Sequence, residues 1–305
     1  MERTTINPSA SRINKLYEEA IEEILDYLVI ELANPEIDYG KQQQVIERVD
    51  KIIETLKMNM ETEVRTEITK IYSEVSNQLY KQMESEGVKP VASFNPLGKP
   101  VYLLDEGKIN QLIADTMTDL AAATDKTQMF VKQIIRGVFS EGMGKSALTG
   151  LGTEQIVSEL TSKLMDKGLS KKALTEGFIG LVDKTGRKWN LKDYVDVVVK
   201  TKLMDADNEA NRSAGLINDY DLAVISSHGA TDDCSKWEGC IISMNGLTEG
   251  YITYSEVKAT NECFHPRCQH HLQPVRDVSL IHQSVIRKHN SKMKDNRETV
   301  KNLNK

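Results

Sequence analysis

The sequence has few aromatic residues and few cysteines, and it lacks long runs of apolar residues. Aromatic side chains make up 6% of the 305 residues, whereas charged residues make up 28%. The stretches between charges are much shorter than the roughly 20 apolar residues that a membrane-spanning helix requires. We therefore expect no membrane-spanning helix and no membrane partner.

The four cysteines are unevenly placed. All of them lie between residues 234 and 268, and the first 20 residues lack the basic and apolar segments of a secretory signal peptide. Clustered cysteines in a chain without such a signal favour a metal site or a reactive thiol over a disulfide framework. Synthesis and assembly in a reducing cytoplasm are therefore expected.

The net charge of −6 is also unevenly distributed. Residues 1–90 carry 11 Lys and Arg against 18 Asp and Glu, whereas residues 276–305 carry 8 against 3. A basic C-terminal segment on an acidic protein is typical of a contact with nucleic acid or with an acidic partner. A short solvated terminus has the same composition, so both interpretations stay open.

The N-terminal region carries the three- and four-residue spacing of amphipathic helices. Between residues 11 and 32 the apolar positions follow this period, with Ser11 as the predicted cap and an expected end near Asn34 and Pro35. No glycine or proline interrupts residues 41–86, which predicts a second helix of about 65 Å. Its apolar stripe needs a partner, so we expect a hairpin with the first helix or a rod that packs on another subunit.

The centre of the chain is predicted to be a linker followed by helices. Residues 87–107 hold three of the seven prolines and are interpreted as a linker. Residues 108–167 are predicted to be helical, in three pieces covering 108–123, 126–141 and 153–167. The GMGKS sequence at 142–146 resembles the end of a phosphate-binding loop, but Phe139 stands where that motif requires glycine. Nucleotide binding is therefore not expected there.

After Gly168 the sequence alternates short apolar segments with turn residues, which predicts a small α+β domain. We expect a turn at 184–187 and a helix over 191–214. Strands are expected at 222–226, 241–243 and 251–257. The predicted fold class is mainly α, with long N-terminal helices in a hairpin or rod followed by a small α+β C-terminal domain, and the domains are 1–86, 87–107, 108–167, 168–275 and 276–305.

Thiol and imidazole donors are concentrated in this small domain. They are His228, Cys234, Cys240, Cys263, His265, Cys268, His270 and His271. Such donors suit zinc, which takes four of them tetrahedrally. The spacing of His265, Cys268 and His270 lets a single turn supply several ligands, and Cys234 would supply the closing ligand from about 30 residues away. A structural zinc ion that cross-links distant segments of the domain is therefore predicted.

Other interpretations of the same residues remain open. The cysteines can be ordinary buried thiols, or the metal can be catalytic, with an open coordination position and a nearby acid or base. Cys263 with His265 as its base is a candidate nucleophile. A nuclease of the HNH type is a further alternative, because short strands surround the cluster.

The order of motifs after residue 168 resembles the phage minor capsid protein 2 group of tailed bacteriophages, which is related to the Mu F-like head-morphogenesis proteins. The residues that carry the resemblance are Asp183, Gly186, Arg187 and Trp189, then Ser227, His228 and Gly229, then Trp237, Glu238 and Gly239, and finally His265, Pro266, Cys268 and His270. The sequence departs from the pattern at Glu238, where glutamine is usual, and at Gln269, where arginine is usual.

The resemblance implies a virion structural protein and not an enzyme. It implies a minor head component that associates with the portal inside the capsid, near the portal vertex, and assists head assembly and genome packaging or ejection. The chain would be made in the bacterial host cytoplasm and form multimers around the portal, with the major capsid protein and packaged DNA as further partners. A structural zinc would then be held by Cys234, His265, Cys268 and His270, with His228 in reserve. A metal-dependent nuclease or toxin-like effector, and a cytoplasmic zinc-containing adaptor, are the alternatives.

Overall fold

The computed structural model of the chain is mainly helical, with short strands concentrated toward the C-terminus. It describes residues 6–32, 38–94, 100–149, 162, 170–182 and 186–303. The helices are α1 (Ile6–Leu32), α2 (Tyr39–Ser85), α3 (Glu106–Thr149), α4 (Lys171–Glu176), α5 (Leu191–Ile217), α6 (Tyr254–Ala259) and α7 (Gln283–Leu303). The strands are β1 (Ala92–Phe94), β2 (Pro100–Tyr102), β3 (Phe178–Val182), β4 (Lys188–Asn190), β5 (Leu222–Ile225), β6 (Ile241–Ser243) and β7 (Leu272–Val275). The predicted fold class is confirmed.

The chain divides into two compact units. The first, which we call the helical unit, consists of Met1–Arg65 and Asp115–Val199. The second, the sheet unit, consists of Thr66–Ala114 and Lys200–Lys305. The contiguous domains predicted from the sequence stay a prediction.

In the helical unit, α1 and α2 form an antiparallel hairpin. Arg12 near the start of α1 pairs with Glu63, and Glu23 farther along α1 pairs with Arg48, both at 2.9 Å. Their apolar stripes face inward, so that Ile24 is fully buried. The hairpin predicted as one of two arrangements is therefore present, and part of the α2 stripe is covered by the same chain.

The start of α1 differs from the prediction. The helix begins at Ile6, five residues before the predicted cap Ser11, and it includes Pro8 in its first turn. Proline is tolerated there because the first amide groups of a helix have no intrahelical acceptor. The helix ends at Leu32, and the predicted stop at Asn34 and Pro35 lies outside the described residues.

Helix α3 is a single element over the first two of the three predicted pieces, 108–123 and 126–141. Thr124 and Asp125, which separate the first two predicted pieces, do not break it, because the Thr124 hydroxyl donates to the Leu120 carbonyl at 3.0 Å. The Tyr17 hydroxyl of α1 lies 2.9 Å from the Thr124 hydroxyl within the helical unit. Residues 142–146 are helical, which fits the absence of a phosphate-binding loop. The third predicted piece, 153–167, lies outside the described residues except for residue 162.

The segment predicted as a linker contains regular structure. Strands β1 and β2 pair antiparallel within 87–107. The Tyr80 hydroxyl donates to the Leu103 carbonyl at 2.8 Å, and the Val91 amide donates to Asn218 at 2.7 Å. The prolines and glycines therefore end α2 without leaving the whole segment irregular.

The sheet unit is built on a three-stranded antiparallel sheet in the order β6-β5-β7. The central strand β5 is buried along its whole length, and Trp237, Tyr80 and Tyr220 are among the largest buried side chains of the unit. The predicted strand at 251–257 is wrong in its greater part. Thr253 caps helix α6 there, in a capping box with Glu256, and this local signal overrides the β-branched and aromatic composition.

The basic C-terminal segment forms helix α7, which packs on the sheet unit. Its buried positions are His289, Met293, Asn296 and Val300. His289 accepts a hydrogen bond from the Ile241 amide of β6 at 3.0 Å. The segment predicted as a tail is therefore an ordered part of this unit over the residues that the structure describes.

Candidate metal centre

Four donors converge in the sheet unit. Cys234 lies in the 3-10 turn Asp233–Lys236, whereas Cys263, Cys268 and His270 lie in the loop before β7, with His270 two residues before that strand. Their ligand atoms all lie within 4.8 Å of one another. All four residues are buried, with exposed fractions between 0% and 6%. We call these residues the four-donor group, and they can hold a metal ion.

The local backbone positions these sulfur atoms. The Asp232 carboxylate accepts a hydrogen bond from the Cys234 amide at 3.2 Å and caps its turn. In the second loop, Phe264 and Arg267 adopt left-handed conformations, with φ of 58° and 64°. This conformation is uncommon for residues other than glycine. It wraps the loop around Cys268, whose sulfur accepts a hydrogen bond from the Phe264 amide at 3.2 Å.

The three thiols are electrostatically coupled. A hydrogen bond to Cys268 and burial raise the pKa of Cys263, and burial with the neighbouring Cys268 raises the pKa of Cys234. Hydrogen bonding with Cys263 and His270 lowers the pKa of Cys268. One sulfur therefore ionises at the expense of the other two. A bound cation would offset the repulsion between neighbouring thiolates, because it stabilises several of them at once.

The structure brings together three of the four predicted ligands. Cys234, Cys268 and His270 all belong to the four-donor group. The sulfur atoms of Cys234 and Cys268 are 3.6 Å apart, and Nδ1 of His270 is 3.3 Å from the Cys268 sulfur. The fourth member is Cys263, which the sequence analysis did not select as a ligand. Its five-residue separation from Cys268 was the available signal, because it lets both thiols of one loop reach the same point.

The predicted ligand His265 lies on another side of Cys234. Its Nε2 is 2.9 Å from the Cys234 sulfur and 3.6 Å from the Asp232 carboxylate. These three residues form a second, more exposed group whose ligand atoms also lie within 4.8 Å of one another. The reserve ligand His228 is exposed, and its ring centroid is 4.2 Å from that of His270.

Cys240 and Cys263 are both buried thiols. Cys240 is outside the four-donor group and receives a hydrogen bond from Asn296 at 3.3 Å. Cys263 is fully buried and its raised pKa disfavours the thiolate. Nucleophilic cysteines are partially exposed and have lowered pKa values, so neither residue has the environment of a nucleophile.

Glu238 organises the loop beside His270. Its Oε1 accepts hydrogen bonds from the amides of His228, Gly229 and Ala230, at 2.8, 2.8 and 3.0 Å. Burial opposes ionisation, but these backbone hydrogen bonds outweigh it and lower the pKa of Glu238 to about 2. The same oxygen is 3.5 Å from Nε2 of His270. The carboxylate is therefore charged and fixed next to the four-donor group.

Comparison with known proteins identifies the family. A family model described as phage minor capsid protein 2 matches residues 39–303. This chain belongs to the phage minor capsid protein 2 family. No curated protein and no solved structure matches it. The family match extends through both units, well beyond the 168–275 segment that carried the resemblance.

Family membership makes this chain a minor component of a phage capsid, and thus a virion protein. The family is described by a structural role and not by a reaction. Among the described residues, no helix has the length and apolar character needed to cross a membrane.

The turn that opened the resemblance is partly described. Gly186 has φ of 83°, a conformation that favours glycine. The Arg187 guanidinium lies over the Trp189 ring, 3.9 Å from its centroid. Asp183 lies outside the described residues. Among the described residues of this motif, Arg187 therefore packs against Trp189 of β4.

Proposed function

We propose that this minor capsid protein holds one structural zinc ion through Cys234, Cys263, Cys268 and His270. The observation that carries the proposal is the convergence of four buried soft donors within 4.8 Å. Three thiolates and one imidazole form a common set for structural zinc, which is four-coordinate and closed to solvent. A catalytic zinc site keeps an open position, and a fully buried set of four protein donors leaves none.

The ion would connect segments that are far apart in the sequence. It would join the turn that carries Cys234 to the loop that carries Cys263 and Cys268, about 30 residues later, and to the start of β7. The strands of this sheet have only three or four residues. Metal binding would add to the buried apolar core of the sheet unit and would contribute directly to its folding.

Metal analysis of matched variants tests the ligand set. We expect one zinc per chain in the wild-type protein, measured by mass spectrometry of the native protein. Cys263→Ser should release the ion, whereas His265→Asn should retain it. Retention by Cys263→Ser and release by His265→Asn would support the ligand set that the sequence predicted, and absence of zinc from the wild type would refute the proposal.

We further propose that the protein assembles with the portal protein inside the head, near the portal vertex, and assists packaging or ejection of DNA. Membership in a minor capsid family supports this role. Co-expression with the portal protein of the same phage should yield a complex of fixed stoichiometry on size exclusion. Separate elution of the two proteins, in the presence and absence of zinc, would contradict it.

Helix α7 offers a defined surface for the proposed contact with packaged DNA. Arg287, Lys294 and Lys301 are exposed and recur every seven residues, so they lie along one side of the helix. Other cations of α7 contact the sheet unit instead: Lys288 lies 3.0 Å from the Ser227 hydroxyl, and Arg297 lies 2.7 Å from the Gly250 carbonyl.

Salt dependence tests this surface. If the three cations each neutralise a phosphate, changing all three to glutamine should reduce the slope of log affinity against log salt by about 3. A matched variant with Lys51, Lys70 and Lys81 of α2 changed to glutamine loses the same charge and should keep the slope. Equal slopes for the two variants would remove α7 from the DNA contact.

A further inference from the structure

The imidazole of His270 has two nitrogens in different surroundings. Nδ1 faces the thiols, 3.3 Å from the Cys268 sulfur. Nε2 is buried, has no hydrogen-bond partner, and lies 3.5 Å from Oε1 of Glu238. The side chain of His270 is only 1% exposed. A buried nitrogen of this kind requires an explanation, because a buried polar atom without a hydrogen-bond partner is destabilising.

We propose that Glu238 is a positioning residue for the metal centre: it accepts a hydrogen bond from Nε2–H of His270 and so fixes the tautomer in which Nδ1 binds the ion. This inference rests on the proposed zinc site. A neutral imidazole that binds a metal through Nδ1 carries its proton on Nε2. In metal sites the second nitrogen usually donates to a carboxylate or a carbonyl, which sets the tautomer and the ring orientation.

Glu238 has the properties that such an acceptor needs. Its side chain is 8% exposed, and its Oε1 is held by three consecutive backbone amides, those of residues 228–230. Gly229 adopts φ of 76°, which bends the loop so that these amides converge. The carboxylate therefore remains in place in the absence of any hydrogen bond from His270.

The arrangement also connects the metal centre to α7. The Lys288 ammonium lies 3.7 Å from Oε2 of Glu238, on the oxygen that does not face His270. A side chain at Gly239 would come within 2.9 Å of the Lys288 aliphatic chain, so this glycine permits the close approach. Glu238 thus contacts the loop at 228–230, the proposed ligand His270 and the C-terminal helix at once.

Two variants separate positioning of His270 from support of the loop. Glu238→Gln keeps an oxygen that can accept the same hydrogen bonds, whereas Glu238→Leu removes it. Asp221→Leu is the matched control, because Asp221 holds another loop of the sheet unit through the amides of Asn245 and Thr248. Asp221 is not in the four-donor group.

The experiment uses the full chain, loaded with zinc and labelled with ¹⁵N at histidine. Nuclear magnetic resonance should show His270 metal-bound at Nδ1 and protonated at Nε2 in the wild type and in Glu238→Gln. Chelator competition should show a 10- to 100-fold loss of zinc affinity in Glu238→Leu. It should show no comparable loss in Glu238→Gln or in Asp221→Leu.

The outcomes distinguish this inference from the zinc proposal. A wild-type protein that binds no zinc overturns both. Zinc bound through Nε2 of His270, or an equal loss of affinity in Glu238→Leu and Asp221→Leu, overturns the positioning role alone. If Glu238→Leu does not fold, zinc bound through Nε2 in the wild type would overturn the positioning role, whereas zinc bound through Nδ1 with a proton on Nε2 would support it.

Discussion

The helical unit and the sheet unit are held together by different kinds of interaction. In the helical unit, apolar stripes repeat along α1 and along the parts of α2 and α3 that belong to it, and exposed side chains form ion pairs. In the sheet unit, strands of three or four residues are surrounded by loops whose shape depends on single polar contacts and on four convergent donors. The helical unit therefore draws stability from repeated apolar contacts, whereas the sheet unit combines a buried apolar core with specific polar contacts and the four-donor group.

This difference implies unequal sensitivity to substitution. Loss of one buried side chain among many reduces the stability of the helical unit by a limited amount, since the other apolar contacts remain. Loss of one ligand in a four-coordinate site removes the ion and with it the whole contribution of metal binding. The following predictions test this contrast.

The largest effect is expected from Cys268→Ser. Cys268 lies close to Cys234, His270 and the Phe264 amide, so its replacement should abolish metal binding. Structural zinc contributes on the order of 10 kcal/mol in small modules, and the sheet unit should therefore lose its cooperative melting transition. Metal content by mass spectrometry and circular dichroism during heating would measure both effects.

The control for this change is Cys240→Ser, since Cys240 is buried but lies outside the four-donor group. It should retain the metal. If Cys268→Ser melts like the wild type and keeps its metal content, Cys268 is not a ligand whose loss destabilises the sheet unit, and the predicted contrast between the two units is wrong.

An intermediate effect is expected from Ile24→Ala in the helical unit. Ile24 is fully buried, and removal of such a side chain typically costs about 2–5 kcal/mol. The transition of the helical unit should shift to lower denaturant concentration while the metal content stays the same. Ile30→Ala on the same helix, at a position that is 68% exposed, should change stability by less than about 0.5 kcal/mol.

A smaller effect, dependent on pH, is expected at His289. Burial lowers the pKa of His289 below its ordinary value of 6.5, and Arg297 contributes in the same direction. The unfolded chain therefore binds a proton that the folded chain excludes. The stabilisation from neutral His289 is complete above pH 6.5 and is lost as the pH falls below it, with a slope of at most about 1.4 kcal/mol per pH unit.

The variant His289→Asn should flatten this dependence. Its amide oxygen can accept the Ile241 amide hydrogen bond but does not titrate. Urea denaturation between about pH 5 and pH 7 would measure the slope. His282→Asn, at an exposed position, is the matched control and should leave the slope unchanged. An equal slope in wild type and His289→Asn would show that His289 does not cause the pH dependence of stability.

The smallest effect is expected from the ion pair between Glu23 and Arg48. The two side chains are 50% and 48% exposed, and pairs of this kind contribute about 0–1 kcal/mol. A double-mutant cycle of Glu23→Gln and Arg48→Gln, measured by denaturation at low and high salt, should give a coupling energy in this range. A coupling above about 2 kcal/mol would mean that the helical unit also depends on single polar contacts.

The parts of the fold that could be predicted are those governed by local period. The stripes of α1 and α2 repeat every three to four residues, and the hairpin between them follows from the need to cover both. The junction within α3 was misjudged, because Thr124 is a weak helix former whose hydroxyl is satisfied by the Leu120 carbonyl. The strands β1 and β2 were missed because proline and glycine dominate the composition around them.

The candidate site was less predictable because it depends on convergence in space. The sequence contains eight thiol and imidazole residues within 44 positions, and spacing alone favoured His265 over Cys263. The left-handed residues Phe264 and Arg267 turn the loop so that Cys263 approaches Cys268. The residue types do not predict this left-handed conformation, since neither position is glycine or asparagine.

Helix α7 completes the turn that carries Cys234. The Lys292 ammonium contacts the carbonyls of Ser235 and Glu238, and the Asn296 amide donates to the carbonyl of Lys236 at 3.1 Å. The carbonyls of Ser235 and Lys236 project from the end of the 3-10 turn, where carbonyls lack intrahelical partners. A pulling force on the C-terminus would therefore be transmitted through two side chains to the segment that carries one of the four donors. Retention of the proposed zinc ion would then show whether α7 still packs on the rest of the sheet unit.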